Sequence, residues 1–227
     1  MLFPLSIFNF KSFFQCSIFI NLTFLTLFAG CKQKEPIKNV FQDDFNRLHL
    51  EENYFDTISR YLIINNSLNI YGAYNHPLWL KKNLPANMDL EFDTWSLSTK
   101  GDIKIELFGD GKSFALNKGA YKGTGYIFCQ GGWNNSKTFI ARKFEHARNL
   151  LHTKKIKVEP EKKYHWKIES RLKNGILILK WFIDNKLILT LKDEDPLYGK
   201  NNRYFAFSNW ATDVYFDNLV ITPVNTK

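Results

Sequence analysis

An acid-x-acid-x-acid-x-tryptophan pattern is the first candidate for chemistry in this chain. Successive side chains of an extended strand point to opposite faces, so Asp89, Glu91, Asp93 and Trp95 would share one face. Carboxylates accept hydrogen bonds from sugar hydroxyls, and an indole ring stacks on a pyranose ring. The pattern therefore indicates a strand that contacts carbohydrate. The alternative is a solvent-facing strand whose acids pair with Lys104 on a neighbouring strand.

A second candidate is a segment that reads GGWNNSKTFIAR and is followed closely by Glu145 and His146. Its glycines let the backbone approach a ligand, Trp133 offers a stacking surface, and Asn134 offers amide donors and acceptors. We therefore predict a second ligand-binding position at Trp133, Asn134 and Arg142. The alternative is a loop tip whose tryptophan packs back on the core and whose two asparagines form a turn.

Short strands must position both candidates. Apolar and polar residues alternate in runs separated by turn residues, as antiparallel strands require. The runs are 62–64, 68–70, 88–95, 103–107, 126–129, 138–142, 164–168, 176–183, 187–191, 204–207 and 214–221. Asp184-Asn185-Lys186 predicts a hairpin turn, and one helix is indicated around Phe144 to Leu151. This pattern predicts an all-β, two-sheet antiparallel β-sandwich of one domain with little helix.

Three segments carry a resemblance to a known superfamily. VFQDDFNR, KWFIDNKLILTLKD and YFAFSNWATDVYFDNLVITP resemble the concanavalin A-like (laminin-G-like) jelly rolls, over nearly all of residues 41–223. The resemblance implies that the first and last strands of a domain at 41–224 pair. It also implies a structural calcium, with Asp43, Asp44 and Asp217 as oxygen ligands. The alternative is that Asp44 and Asp217 cap turns.

A narrower resemblance concerns catalysis. Glu91-x-Asp93 resembles the core of the family-16 glycoside hydrolases, which order nucleophile, helper and acid as Glu-x-Asp-x-Glu or Glu-x-Asp-x-x-Glu. It implies Glu91 as nucleophile and Asp93 as helper, but Trp95 or Ser96 stands where the acid belongs. A retaining glycosidase needs two carboxyls about 5 Å apart, so Glu106 on the next strand would have to supply the second. The incomplete set favours a domain without catalysis.

The amino-acid composition limits the classes of partner that the chain is expected to bind. The chain has 227 residues, a formal charge of +9 and 16% aromatic residues. Lysines and arginines are scattered among acids rather than gathered on one helix, so no nucleic-acid partner is expected. Cys129 lies in an apolar run and is expected to be a buried core thiol. No cofactor is required by any motif apart from the calcium that the superfamily implies.

The N-terminal segment predicts a location. Lys11 precedes an uncharged, largely apolar stretch that ends in Ala29-Gly30 before Cys31, the layout of a secretory signal. It resembles a bacterial lipoprotein signal, which implies removal of residues 1–30 and acylation of Cys31. Residues 31–40 would then tether the domain to the bacterial cell envelope, at the outer membrane or cell surface. The alternative is an uncleaved transmembrane anchor.

These observations favour an envelope lipoprotein with a non-catalytic, carbohydrate-binding β-sandwich, whose partners are the membrane and a polysaccharide. Two alternatives stay open. One is an enzyme of the glycoside hydrolase or polysaccharide lyase kind that uses Glu91 with Asp93 or Glu106. The other is a surface lipoprotein that binds protein partners, because the fold alone does not select a function.

Overall fold

The computed structural model of the protein describes residues 35–58, 60–117, 122–148, 150–199 and 201–225. The predicted signal segment, its transmembrane alternative and Cys31 lie outside these residues. Within the described ranges, no helix is long and apolar enough to cross a membrane.

Antiparallel strands form nearly all of the regular structure. In chain order they are β1 (Phe41–Asp43), β2 (Tyr54–Asp56), β3 (Tyr61–Ile64), β4 (Ser67–Tyr71), β5 (Leu78–Leu80), β6 (Met88–Ser96), β7 (Ile103–Gly109), β8 (Tyr126–Gly131), β9 (Lys137–Arg142), β10 (Leu151–Thr153), β11 (Tyr164–Lys173), β12 (Ile176–Ile183), β13 (Lys186–Asp193), β14 (Tyr204–Ser208) and β15 (Asp213–Pro223). A four-residue helical turn, α1 (Gly132–Asn135), links β8 to β9.

The strands form two sheets. The major sheet has eight strands in the order β13-β12-β11-β6-β15-β4-β3, with β1 also paired to β15, and the minor sheet has seven in the order β10-β9-β8-β7-β14-β5-β2. Phe41 pairs with Ile221, so the first and last strands lie side by side as the superfamily resemblance implies. The predicted two-sheet antiparallel β-sandwich is confirmed.

Alternation along the strands builds the core between the sheets. On β6, Leu90 and Phe92 are buried while the acids between them stay partly exposed. Trp166 and Trp181 of the major sheet pack at a ring-centroid distance of 4.5 Å, and both are completely buried. Each such side chain contributes about 1.5–3 kcal/mol or more of hydrophobic stabilisation. The residues on the other side of each strand point away from the partner sheet, and we call that side its outer face.

The predicted hairpin is present between β12 and β13. Asp184 and Asn185 both have positive φ angles, 50° and 63°. Two central residues of this conformation form the type I′ turn, whose twist matches that of the flanking strands. Aspartate and asparagine enter the left-handed region more readily than most residues, so the local sequence accounts for the turn.

Two predictions about the chain outside the sheets are wrong in detail. No helix covers the described residues between Phe144 and Leu151, and β10 begins at Leu151 instead. Residues 31–40 are not a free tether throughout, since the Ile37 N–H donates to the Asn83 carbonyl at 2.9 Å. Ile37 also packs against the core. The apolar side chain of Ile37 fixes this segment, so the folded part starts before Phe41.

Candidate functional site

The acids of β6 lie on the outer face of the major sheet, as their spacing predicts. The cations that pair with them come from the neighbouring strand β11. Lys167 Nζ lies 3.0 Å from Asp89 Oδ2, and His165 reaches Asp93 Oδ1 at 2.8 Å and Glu91 Oε2 at 3.2 Å. The alternative in which Lys104 neutralises these acids is wrong, because Lys104 belongs to β7 in the other sheet.

The protonation state of His165 depends on its two carboxylate neighbours. Burial acts to lower the pKa of His165, but its hydrogen bonds to Asp93 and Glu91 and their negative charges outweigh burial and raise that pKa above its ordinary value. Both ring nitrogens face an acid, which favours the imidazolium form. The acid face is therefore largely neutralised by residues of its own sheet.

Trp95 contacts two protein groups with its ring and lines a depression of about 320 Å³ together with them. Its ring stacks on Tyr215 with centroids 5.0 Å apart and planes 5° from parallel. The Lys163 ammonium lies 4.3 Å from the centroid of the same indole. A pyranose ring stacks on the broad face of an indole, and here Tyr215 and Lys163 would compete with it for contact with the ring. The prediction that Trp95 binds sugar is not supported by this arrangement.

Glu106 cannot join Glu91 in one catalytic pair. Glu91 lies on β6 of the major sheet and Glu106 on β7 of the minor sheet, so the expectation that they approach the same face is wrong. Glu106 is 2% exposed. Its Oε1 accepts hydrogen bonds from the Thr124 and Gly125 N–H groups, both at 2.7 Å. The carboxylate anchors that loop.

One depression formed by described residues lies on the outer face of the minor sheet. It is a cavity of about 440 Å³ with a tryptophan on two sides, and we call it the tryptophan cavity. Trp133 enters from the β8–β9 turn and Trp210 from the β14–β15 connection. Lys104 on β7, Cys129 on β8 and Phe139 on β9 form its floor as cross-strand neighbours.

Lys104 organises the polar part of the floor. Its side chain is 6% exposed, and Nζ lies 2.9 Å from Glu145 Oε2 and 3.6 Å from Asp102 Oδ1. The same nitrogen donates to Asn75 Oδ1 at 3.1 Å. Burial acts to lower the pKa of Lys104, but the charges of Asp102 and Glu145 outweigh it and raise that pKa well above the ordinary value. Lys104 is therefore a permanent cation.

Cys129 is the buried thiol that its apolar run predicts. It is completely buried and packs with Ile127, Phe139 and Ala141. Its S–H donates to Asp102 Oδ1 at 3.3 Å. Burial raises the pKa of the thiol well above its usual value. The sulfur is therefore protonated at neutral pH, and it forms part of the floor rather than a nucleophile.

The Trp133 turn is held in an unusual conformation. Trp133 and Asn134 have left-handed backbone angles, with φ of 49° and 55°, and a tryptophan there is strained. Gly131 makes the turn possible, since a Cβ on it would lie 2.5 Å from Asn135 Oδ1. Asn135 anchors the turn by donating to the Val158 carbonyl at 2.7 Å.

Trp133 lines the cavity with part of its ring. It is 38% exposed and stacks on Phe139 with a centroid distance of 4.8 Å and an interplanar angle of 25°. Lys137, on the same strand as Phe139, places Nζ 5.2 Å from the Trp133 centroid. The exposed Asn134 follows on the rim. The two predicted residues Trp133 and Asn134 therefore lie together at the cavity.

Arg142 does not lie there. It pairs across the ladder with Tyr126, a core residue. Its guanidinium binds Asp193 at 2.9 Å and Asp195 at 3.1 Å. These acids belong to β13 of the major sheet and the turn that follows it. The grouping of Arg142 with Trp133 as ligand-binding residues is wrong, because strand alternation turns Arg142 to the side opposite the cavity and it links the two sheets there.

Trp210, Lys104 and Glu145 were missed as site residues by sequence reasoning. Trp210 belongs to the segment YFAFSNWATDVYFDNLVITP, from which only the fold was inferred. The backbone N–H of Trp210 donates a hydrogen bond to Asp102 Oδ2. The indole ring of Trp210 packs edge-on against Tyr74, with ring centroids 5.2 Å apart. One signal was present: Asp102-x-Lys104 places two opposite charges two residues apart at the start of β7, where the side chains of both point to the same face.

The predicted calcium ligands each have protein partners. Asp43 accepts a hydrogen bond from Tyr54 at 2.7 Å and binds Arg47. Asp44 accepts the Asn46 N–H at 3.1 Å, and Asp217 accepts the Asn218 N–H at 2.8 Å. Within the described ranges, no group of three His, Cys, Asp or Glu side chains is placed to hold a metal ion. The turn-capping alternative fits this geometry better, and the calcium site stays a prediction.

Comparisons with known proteins place the fold. No family profile and no curated protein sequence matches the chain. The solved structure of alginate lyase Aly36B is 12% identical, with a TM-score of 0.55, over 85% of this chain and 100% of that one. Crh5 transglycosylase in complex with NAG is 11% identical, with a TM-score of 0.60, over 85% and 87%. A laminarinase from Flavobacterium sp. UMI-01 is 13% identical, with a TM-score of 0.54, over 82% and 100%. At these identities the likeness concerns the fold, and this chain is a jelly-roll β-sandwich.

Proposed function

We propose that this chain is a membrane-anchored carbohydrate-binding domain that holds its sugar in the tryptophan cavity. The observation that carries the proposal is the cavity itself, with Trp133 and Trp210 beside a buried polar floor. Its volume of about 440 Å³ falls in the range of small-ligand sites. Aromatic walls with a few fixed polar groups suit a ligand that has both C–H faces and hydroxyl edges.

The strained Trp133 turn supports a binding role. A left-handed tryptophan, with φ of 49°, costs of order 1–3 kcal/mol and persists only where the surroundings fix it. Here Asn135 and Gly131 fix it and the indole reaches the cavity. A turn selected for stability alone has no need of a tryptophan at this position. Strain of this kind is typical of binding and catalytic sites.

The charges of the floor favour binding without hydrolysis. Glycoside hydrolysis uses one protonated carboxyl group and one unpaired carboxylate. The two cavity carboxyls, Asp102 and Glu145, both contact the Lys104 ammonium. Asp102 in addition accepts hydrogen bonds from Trp210 and Cys129. We therefore propose that the domain holds a sugar and leaves its glycosidic bonds intact.

The fold comparisons agree with a carbohydrate ligand. The three solved structures reported above are an alginate lyase, a transglycosylase with bound NAG and a laminarinase. The jelly-roll sandwich thus supports sugar-directed functions in each of those proteins. For this chain the assignment rests on the cavity, because a shared fold does not fix a function.

Anchoring through Cys31 is the second part of the proposal. The sequence layout of Lys11, the uncharged stretch and Ala29-Gly30 supports it. Lipidation would keep the domain at the bacterial envelope, within reach of polysaccharides there. Expression with a clickable palmitate analogue should label the wild-type chain and leave Cys31→Ser unlabelled. Equal labelling of both would contradict lipidation at this cysteine.

Affinity electrophoresis tests the binding role. Residues 35–227 would be run through gels that contain laminarin, chitin-derived polymer, mucin glycan or alginate, beside gels without polysaccharide. We expect at least one polymer to retard the domain, no release of reducing ends on incubation, and loss of the retardation in Trp210→Ala. An unaltered mobility in every gel would overturn the proposal.

A further inference from the structure

The floor of the tryptophan cavity carries charges that select among sugars. Lys104 has three ammonium protons and three protein acceptors within 3.6 Å, which are Glu145, Asp102 and Asn75. It is 6% exposed. Glu145 and Asn75 accept hydrogen bonds from it, whereas Asp102 at 3.6 Å is an ion-pair partner only. The ammonium charge is therefore already shared between two carboxylates, which leaves little of it for an acidic sugar. The one buried cation of the cavity is therefore a structural group that holds Glu145 and Asn75 in place.

Glu145 lines the cavity, and among the described residues its Oε1 has no hydrogen-bond donor within reach. Its Oε2 binds Lys104 at 2.9 Å, whereas its Oε1 has the His146 Nε2 atom as its nearest ionic neighbour, 3.8 Å away. That distance is beyond a hydrogen bond. Asp102 is occupied by Trp210 and Cys129. Glu145 Oε1 is thus the carboxylate oxygen that a ligand can meet, and it accepts hydrogen bonds only.

The charge balance of the floor adds to this preference. Lys104 contributes one positive charge, and Asp102 and Glu145 contribute two negative ones, so the three together carry a net negative charge. A carboxylated or sulfated sugar at this depth would face Glu145 and be repelled. Lys100 is exposed at the rim, where salt screens its attraction for an anion. Hydroxyl and N-acetyl amide groups, in contrast, are donors that suit Glu145 Oε1.

We infer that the tryptophan cavity binds uncharged sugars, hexoses or N-acetylhexosamines, and excludes uronates, with Glu145 as the residue that makes this distinction. The inference rests on the proposed carbohydrate-binding function. It goes further because it separates the glycans of the fold relatives by chemistry. On this account the chain resembles the alginate lyase in fold but not in the ligand charge it accepts.

Calorimetric titration tests the inference. Residues 35–227 would be titrated with laminarihexaose, N-acetylchitohexaose, a neutral mucin-type oligosaccharide and an alginate hexamer. The buffer is at about pH 8, where imidazole is ordinarily neutral, and contains about 0.15 M salt. We expect at least one neutral sugar to bind at least about tenfold more tightly than the alginate hexamer. Equal or tighter alginate binding would overturn the inference while leaving carbohydrate binding in place. Failure of all four ligands would overturn both.

Glu145→Gln sharpens the assignment to one residue. The amide keeps the size of the side chain but removes the charge and adds a donor. We expect the preference for the neutral sugar over the alginate hexamer to shrink by about tenfold, the equivalent of one lost charge-assisted hydrogen bond. Glu52→Gln, an exposed carboxylate outside the cavity lining, is the matched control and should leave the preference unchanged. Folding of each variant is checked by circular dichroism and urea unfolding. A folded Glu145→Gln protein with wild-type preference would contradict the role of Glu145.

Discussion

Both outer faces of the sandwich carry acids and tryptophan, yet they are built differently. On the major sheet, Glu91 and Asp93 meet His165 from the next strand, and Trp95 contacts Tyr215 and Lys163. On the minor sheet, loops raise Trp133 and Trp210 around a depression of about 440 Å³. On the first face the acids are paired within the sheet and Trp95 borders a smaller depression of about 320 Å³, whereas the second face carries the tryptophan cavity.

This difference shows why residue types on a strand do not by themselves define a site. Adjacent strands supply partners to every exposed side chain, and those partners neutralise a row of acids before any ligand arrives. A cavity needs walls that rise from the sheet. In this chain the walls come from the connections after β8 and β14, and the first of them turns through Gly131 and Asn134 at positive φ. The position of the candidate site is therefore determined by the loops rather than by charges on a single strand.

The largest expected difference between the two faces concerns stability. Lys104→Met leaves Asp102 and Glu145 buried without their cation, which should lower the free energy of unfolding by about 3–5 kcal/mol. Lys167→Met, on the major sheet, removes a more exposed lysine beside Asp89 and should cost at most about 1 kcal/mol. Urea unfolding of the two variants measures both values. Similar losses would show that burial does not distinguish the two lysines.

Sugar affinity should depend on the tryptophans of the minor-sheet cavity and not on the tryptophan of the major sheet. Trp133→Ala removes a cavity wall and should weaken the neutral oligosaccharide by about tenfold or more, since an aromatic contact of this kind is worth about 1.5 kcal/mol. Trp95→Ala is the matched control, because that ring belongs to the other sheet and contacts Tyr215 and Lys163. It should leave affinity within about twofold of wild type. Intrinsic fluorescence titration gives both constants. A larger loss of affinity in Trp95→Ala than in Trp133→Ala would indicate that the sugar binds at the acid strand β6 and not in the tryptophan cavity.

The smallest expected effect is a pH dependence that belongs to the major sheet. The pKa of His165 is raised in the folded state by Asp93 and Glu91, so its protonated form stabilises the fold. That contribution is fully present below the unfolded pKa of about 6.5 and is lost as pH rises through the raised folded value. The advantage of wild type over His165→Gln should therefore shrink from about pH 5.5 to about pH 8.5. It should stay below about 1 kcal/mol, because the ring is partly solvated.

Thermal unfolding of wild type and His165→Gln across that pH range provides the check. Glu169→Gln serves as the control, because Glu169 lies on the same strand without contact to the imidazole and should show no such trend. An advantage of His165 that grows with rising pH would contradict the assigned direction. Sugar affinity should be the same for His165→Gln and wild type, since His165 lies on the face opposite the cavity.

The fold was predictable from the sequence wherever the residues of a single strand determine which side chains face the core. Alternation on β6 placed Leu90 and Phe92 inside, and Asp184-Asn185 predicted the hairpin turn. The short strands β2, β5 and β10 were not predicted, because three residues are too few to show a period. The helix expected at Phe144 is replaced by an irregular connection that brings Glu145 to Lys104. Local propensity cannot anticipate that tertiary ion pair.

The site was less predictable because it depends on neighbours in space. Glu91 and Glu106 are close in sequence but lie in different sheets, since the chain crosses between sheets after β6. Trp133 and Asn134 were found from their glycine-rich turn. Trp210 was missed because one turn residue gives no sign of which face its connection will cover. Charge patterns on one strand are therefore weaker evidence than residues that converge from several loops.

A crystal structure of residues 35–227 with a bound neutral hexasaccharide tests the central claim most directly. The account predicts sugar density in the tryptophan cavity, with a ring in van der Waals contact with Trp133 or Trp210 and a hydroxyl or amide hydrogen-bonded to Glu145 Oε1. Density on the outer face of the major sheet, against Glu91 and Trp95 with the cavity empty, would contradict it.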